Sequence, residues 1–191
     1  MIDENAFGLL VSYFDIENDE YALESEEFAL RVQTFRRCWR SCLEEHAQGG
    51  SARAFDLGHA LYVELAEDEL PFDPIALLRA TRTQLLEHDI ESVGVLTFGG
   101  RWLQGEAAPG APAVEQVGAV SVQALALPSE PLRHALDADA AARATEDEEH
   151  VGWGSGLYLE SDAIEALGRK LKNAPTPLEA GGTTYFRVGV K

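Results

Sequence analysis

FGLLVSYFDIEN, from Phe7 to Asn18, decides the fold of this chain. Gly8 to Phe14 is a mostly apolar run that meets one carboxylate, Asp15, followed by Ile16. A short apolar run of this kind reads as a buried central strand. A carboxylate at the point where such a strand emerges is fixed in position by the sheet, so Asp15 is the first candidate for chemistry. The competing role for Asp15 is to cap a turn or the next helix.

Around that strand the chain alternates periods. Phe28, Val32, Phe35, Trp39 and Leu43 recur at helical spacing and predict a helix over Phe28–Ala47, which Gln48 to Ser51 stops. Cys38 and Cys42 lie on or beside its apolar face. With no second Cys or His pair near them they read as core, not as metal ligands. Ala52–Leu57 and Ala60–Ala66 read as two strands joined at Gly58-His59, where glycine supplies the positive φ of a tight turn. Asp73 and Pro74 are a cap and a first-position proline, opening a helix over Pro74–His88. Glu91–Phe98 is the next apolar strand, ended by Gly99-Gly100.

Further on, Gln104–Ala113 reads as a loop and Val114–Leu127 as strand or helix. Leu132–Arg143 reads as a helix, Thr145–His150 as an acidic loop and Gly156–Leu159 as a strand. Asp162–Leu171 reads as a helix capped by Ser161, Asn173–Gly182 as a loop and Thr183–Val190 as a final strand. The expected class is therefore α+β in one domain, residues 1–191. It has a ferredoxin-like βαββαβ core, an antiparallel-rich sheet with both helices on one face, and an α/β C-terminal extension.

Hydrophobic residues at 46% supply a full core. Fifteen basic against 33 acidic residues give a net charge of −18, which argues against nucleic acid or a membrane surface as partner. No apolar stretch is long enough to span a bilayer, and no secretory signal is visible. Two cysteines one helical turn apart fit a reduced, cytoplasmic setting.

Several strings, in this order, resemble the catalytic domain of class III nucleotide cyclases, the adenylate and guanylate cyclases. Tyr13-Phe14-Asp15-Ile16 is similar to the family's first-strand string, and Gly58 to the glycine of its Gly-Asp turn. Val93 to Gly99 is similar to its fourth strand. Gly118, Ala124 and Leu127 fall where the family has Gly, Ala and Leu around a late helix. The stretch from Leu157 through Val188 is similar to the closing strand, helix and strand of bacterial members.

The resemblance implies two carboxylates holding two metal ions, which activate a ribose hydroxyl against the α-phosphate of a nucleoside triphosphate. Asp15 matches the first carboxylate. His59 stands where the second belongs, and imidazole is a poor ligand for Mg²⁺. Phe55 stands in place of the base-reading lysine. Val122 and Ala126 stand in place of the asparagine and arginine that act on ribose and transition state. Losing one electrostatic donor costs about 10²–10³ in rate, and several are gone here.

The expectation is a catalytically inactive, regulatory or protein-interaction module with no cofactor. The alternative is an active cyclase with a non-standard Mg²⁺ or Mn²⁺ site at Asp15 and His59, or one half of a heterodimer. Asp15, Glu17, Asp56 and His59 also form a candidate mixed N/O site for Zn²⁺ or Mn²⁺. Finally, Leu9, Leu10, Val11, Tyr13 and Phe14 put apolar groups on both faces of the first strand. Family members build their sites between two such domains, so a homodimer or a cyclase-like partner is expected to cover the second face.

Overall fold

The structure, a computed structural model, describes residues 2–14, 26–47, 52–102, 115–117, 120–123, 129–144, 152–172 and 175–189. Its centre is the predicted first strand, β1 (Ile2–Tyr13). Next come α1 (Glu26–His46), β2 (Ala52–Asp56), β3 (Ala60–Ala66), α2 (Pro74–Leu86) and β4 (Ser92–Trp102). β5 (Glu115–Val117), β6 (Val120–Gln123), α3 (Glu130–Arg143), β7 (Gly156–Glu160), α4 (Ser161–Ala166), β8 (Pro177–Ala180) and β9 (Thr183–Val188) complete the order.

These strands form one mixed, mostly antiparallel sheet in the order β5-β6-β2-β3-β1-β4-β7-β9-β8. Only the β2–β6 and β4–β7 pairs are parallel. Leu9 lies opposite Val63 on β3 and Leu96 on β4, so one residue of β1 sits in a row that crosses three strands. The period of two then sorts the strand. Phe7, Leu9, Val11 and Tyr13 belong to one buried cluster, while Leu10 belongs to another on the opposite face.

The first cluster is closed by α1 and α2. On α1, Phe35, Cys38, Trp39, Cys42 and Leu43 repeat every three or four residues and are all buried. Full burial of a side chain such as Leu43 or Phe35 contributes about 1.5–3 kcal/mol. Asp73 caps α2 by accepting from the amides of Ile75 (3.0 Å) and Ala76 (3.4 Å), with Pro74 at the first position. Ile75, Leu77, Leu78 and Leu85 face the same cluster as α1. The two helices thus share one face, as the order of elements predicts.

The second face differs from its expectation. It is covered by the chain itself: Leu132, Ala135, Ala138 and Ala142 of α3 pack on Leu10, Tyr62, Val93 and Val95. The apolar second face therefore supplies no reason for a partner chain. Alanines at three of these contact positions let α3 lie close to the sheet. One close approach is at Gly8, where an added Cβ would meet the Tyr62 hydroxyl at 2.6 Å, Thr97 Oγ1 at 2.7 Å and Pro131 Cβ at 2.9 Å.

Other boundaries also move. β1 begins at Ile2 rather than Phe7, because β4 runs past the two glycines to Trp102 and gives the early residues a backbone partner, Ala6 opposite Gly99. Within Val114–Leu127 the described residues are strands, so Val122 lies on β6 and not on a late helix; Gly118, Ala124, Ala126 and Leu127 fall outside the described residues. α4 stops at Ala166, where the Arg169 amide turns back to the Ile164 carbonyl (3.1 Å), and Ser161 does not cap it. Part of the expected loop 173–182 is β8, an edge strand in which Pro177 is tolerated because one side has no ladder. Gly58 has φ +87°, as its place at the tight turn requires.

Candidate functional site

The end of the sheet where β1 terminates holds the predicted site. Asp15 and Glu17 lie outside the described residues. The β2–β3 turn is brought against the end of β1, since the Tyr13 amide donates to the His59 carbonyl at 3.0 Å. His59 itself is exposed. Asp56 is committed to the turn: its Oδ1 accepts from the Gly58 amide (2.9 Å) and from Arg36 Nη2 (3.3 Å). Among the described residues no group of three or more His, Cys, Asp or Glu side chains is placed to hold a metal ion. An exposed imidazole and a carboxylate already paired with arginine do not suit Mg²⁺, which needs several free oxygens.

On either side of the end of β1 stands an arginine. Arg31 Nε donates to the Tyr13 hydroxyl at 2.7 Å on the α1 face. Arg143, on α3, serves the other face. Its Nε donates to Asp139 Oδ2 (3.0 Å), and its Nη atoms donate to the carbonyls of Phe14 (2.9 Å) and Tyr13 (2.8 Å) and to Ser12 Oγ (2.7 Å). Ser12 Oγ also donates to Asp139 Oδ1. Arg143 and Asp139 are both nearly buried, at 9% and 8% side-chain exposure. The guanidinium further lies over the Phe14 ring, 5.8 Å from its centroid. Sequence reasoning placed Leu132–Arg143 in a helix but gave neither residue a role.

Two more buried carboxylates tie the same helix down. Glu64 Oε2 accepts from the Tyr62 hydroxyl (3.2 Å) and from Ser129 Oγ (2.9 Å). Ser129 in turn caps α3 by accepting from the Leu132 amide. Burial, reinforced by the Glu64 charge, pushes the Tyr62 hydroxyl well above its ordinary pKa and keeps it a donor. Thr97 Oγ1 donates to the Pro131 carbonyl at 2.8 Å.

Glu160, only 1% exposed, accepts from the Phe98 amide (2.7 Å) through Oε2 and pairs through Oε1 with His134 Nδ1 (2.9 Å). A carboxylate–imidazole pair is a unit of acid–base catalysis where the outer nitrogen meets a nucleophile or substrate. Here the outer nitrogen, Nε2, meets Arg133 Nη2 at 3.2 Å. The pair instead joins α3 to β7 and β4, and the Tyr185 hydroxyl adds a bond to the His134 carbonyl (2.8 Å).

The hydrogen bond to Glu160 raises the His134 pKa above its ordinary 6.5, against burial and the Arg133 charge, with Glu130 adding to the rise. A group whose folded pKa is raised stabilises fully below its unfolded value and loses that contribution as pH rises through the folded value. The stability difference between wild type and His134→Gln is therefore expected to be larger at pH 6 than at pH 8.5 in urea unfolding. An equal difference at both would mean that the imidazole carries no charge in the pair.

The two cysteines that the sequence places in the core lie there. Cys38 and Cys42 are buried in the first cluster with their thiol pKa values pushed up by burial. Trp153 packs on Tyr158 and Tyr185, ring centroids 5.2 and 5.6 Å apart. A search of protein-family models and of curated proteins finds no match to this chain.

Proposed function

We propose that the chain is a catalytically inactive, nucleotide-cyclase-like domain that acts as a regulatory or binding module. The observation that carries this reading is α3 clamped over the second sheet face by Ser129, His134, Asp139 and Arg143, all bonded within the chain. A cyclase-like sheet is expected to turn that face toward a partner domain, and the shared site lies between the two. In this chain the face is filled. The order β2-β3-β1-β4, with α1 and α2 on one side, is that of a ferredoxin-like βαββαβ unit and supports the cyclase-like reading of the fold. Fold likeness alone does not carry activity. His59 and Phe55, where the resemblance implies a carboxylate and a lysine, remove metal and base contacts.

One contact favours the second reading, an active cyclase with a metal at Asp15 and His59: the His59 carbonyl is bonded to Tyr13, two residues before Asp15. Pyrophosphate release separates the two. With Mn²⁺ or Mg²⁺ and either ATP or GTP, the purified protein is expected to release none above the protein-free rate. Release that disappears in Asp15→Asn and His59→Ala would overturn the inactive reading and establish the other.

A further inference from the structure

On the α1/α2 face, away from the end of β1, residues of α2, β7, α4, the segment after α4 and β9 line an open cavity of about 630 Å³. That lies within the 300–1,000 Å³ range of small-molecule sites. Ile75, Leu159, Ile164, Leu171 and Val188 line it with apolar surface. Arg79, Arg169, Lys170, Lys172 and Arg187 also line it, and among the described residues no acidic side chain does. The chain has 15 basic and 33 acidic residues, so a third of its cations converge on one cavity in a strongly acidic molecule.

Elsewhere two of the cations are matched by carboxylates, Arg36 by Asp56 and Arg143 by Asp139. At the cavity, Arg169 pairs with Asp73 (2.6 Å) and Arg187 Nη2 donates to the Ser155 carbonyl (2.8 Å). Arg79, Lys170 and Lys172 are exposed and have no hydrogen-bond or ion-pair partner among the described residues. Like charges gathered around one concavity repel each other, and a low-dielectric wall focuses their field. An anion relieves that repulsion, and the apolar lining offers its organic part a place out of water.

We propose that this cavity binds a small amphiphilic anion, a ligand with a phosphate head and an apolar body. Head and body make separable contributions, so three probes test it by calorimetry: n-hexyl phosphate, inorganic phosphate and 1-hexanol. n-Hexyl phosphate is expected to bind more tightly than either of the others. The double variant Arg79→Gln/Lys172→Gln is expected to weaken that binding by about tenfold, the scale of losing two exposed charge contacts. Raising sodium chloride from about 0.05 M to about 0.5 M is expected to weaken it as well. Both side chains are exposed and unpartnered, so the double variant keeps the fold, and its unchanged circular dichroism checks this. Binding no tighter than 1-hexanol, binding matched by inorganic phosphate, or equal affinity in the double variant would each overturn the proposal. None of these readouts depends on whether the chain turns over nucleotides.

Discussion

Replacing Arg143 with Leu is expected to destabilise the protein by about 3–5 kcal/mol, the cost of breaking a buried ion pair from one side. The carboxylate of Asp139, 6% exposed, would be left with Ser12 as its side-chain partner among the described residues, and the carbonyls of Tyr13 and Phe14 would lose the Arg143 donors. Against a total of about 5–15 kcal/mol for a domain, this is a large fraction. The variant should unfold at much lower urea. The double variant Arg143→Leu/Asp139→Leu should recover part of the loss, because the stranded charge is gone while the carbonyls remain unpaired. A single-variant loss below about 1 kcal/mol would show that the pair behaves like an exposed one.

Gly8→Ala is expected to cost about 3 kcal/mol, the upper part of the overpacking range. The methyl would fall within 3.0 Å of three atoms, and none of them yields cheaply. The Tyr62 hydroxyl is held by Glu64, Thr97 Oγ1 is bonded to the Pro131 carbonyl, and Pro131 belongs to a rigid ring at the start of α3. The helix must lift, and the Ser129–Glu64 and Thr97–Pro131 bonds lengthen with it. For a chain of this size the melting midpoint should fall by about 6–12 °C. An unchanged midpoint would mean that α3 does not rest on β1.

What the sequence revealed and what it concealed follow from the range of the interactions. The apolar run from Gly8 to Phe14, the Gly58 turn and the Asp73-Pro74 start of α2 are local signals; the run falls on β1 up to Tyr13, and the other two lie where their chemistry puts them. Both apolar faces of β1 were visible as well, but not what covers the second. The helix that covers it builds its buried stripe largely from small residues, Ala135, Ala138 and Ala142, which are common on exposed helix faces too. Its fixing contacts join residues far apart in the chain, Ser12 with Asp139 and Glu64 with Ser129. β8 was hidden by Pro177 and Glu179, which suit an edge strand and read as loop. The basic side chains of the cavity come from α2, the segment after α4 and β9, and of these only Arg169, Lys170 and Lys172 are close in sequence.

The buried polar groups of α3 share one consequence. Three carboxylates, Glu64, Asp139 and Glu160, are spent on positioning this helix rather than on a ligand. Such pairs add little net stability over apolar packing, but each is costly to break, so together they specify one placement of the helix. Among the described residues the exposed large apolar side chains are scattered: Leu30 on α1, Leu70 between β3 and α2, Leu86 on α2 and Leu136 on α3. Among the described residues, α1 and α2 cover one face of the sheet and α3 packs on the other, and the net charge of −18 opposes close approach of two copies.

Closure of the second face in cis is the central claim, and mass in solution tests it most directly. Light scattering at micromolar concentration and physiological salt is expected to show a single species near 20.8 kDa. A stable species of twice that mass would contradict it and return the chain to the two-domain arrangement that its resemblance implies.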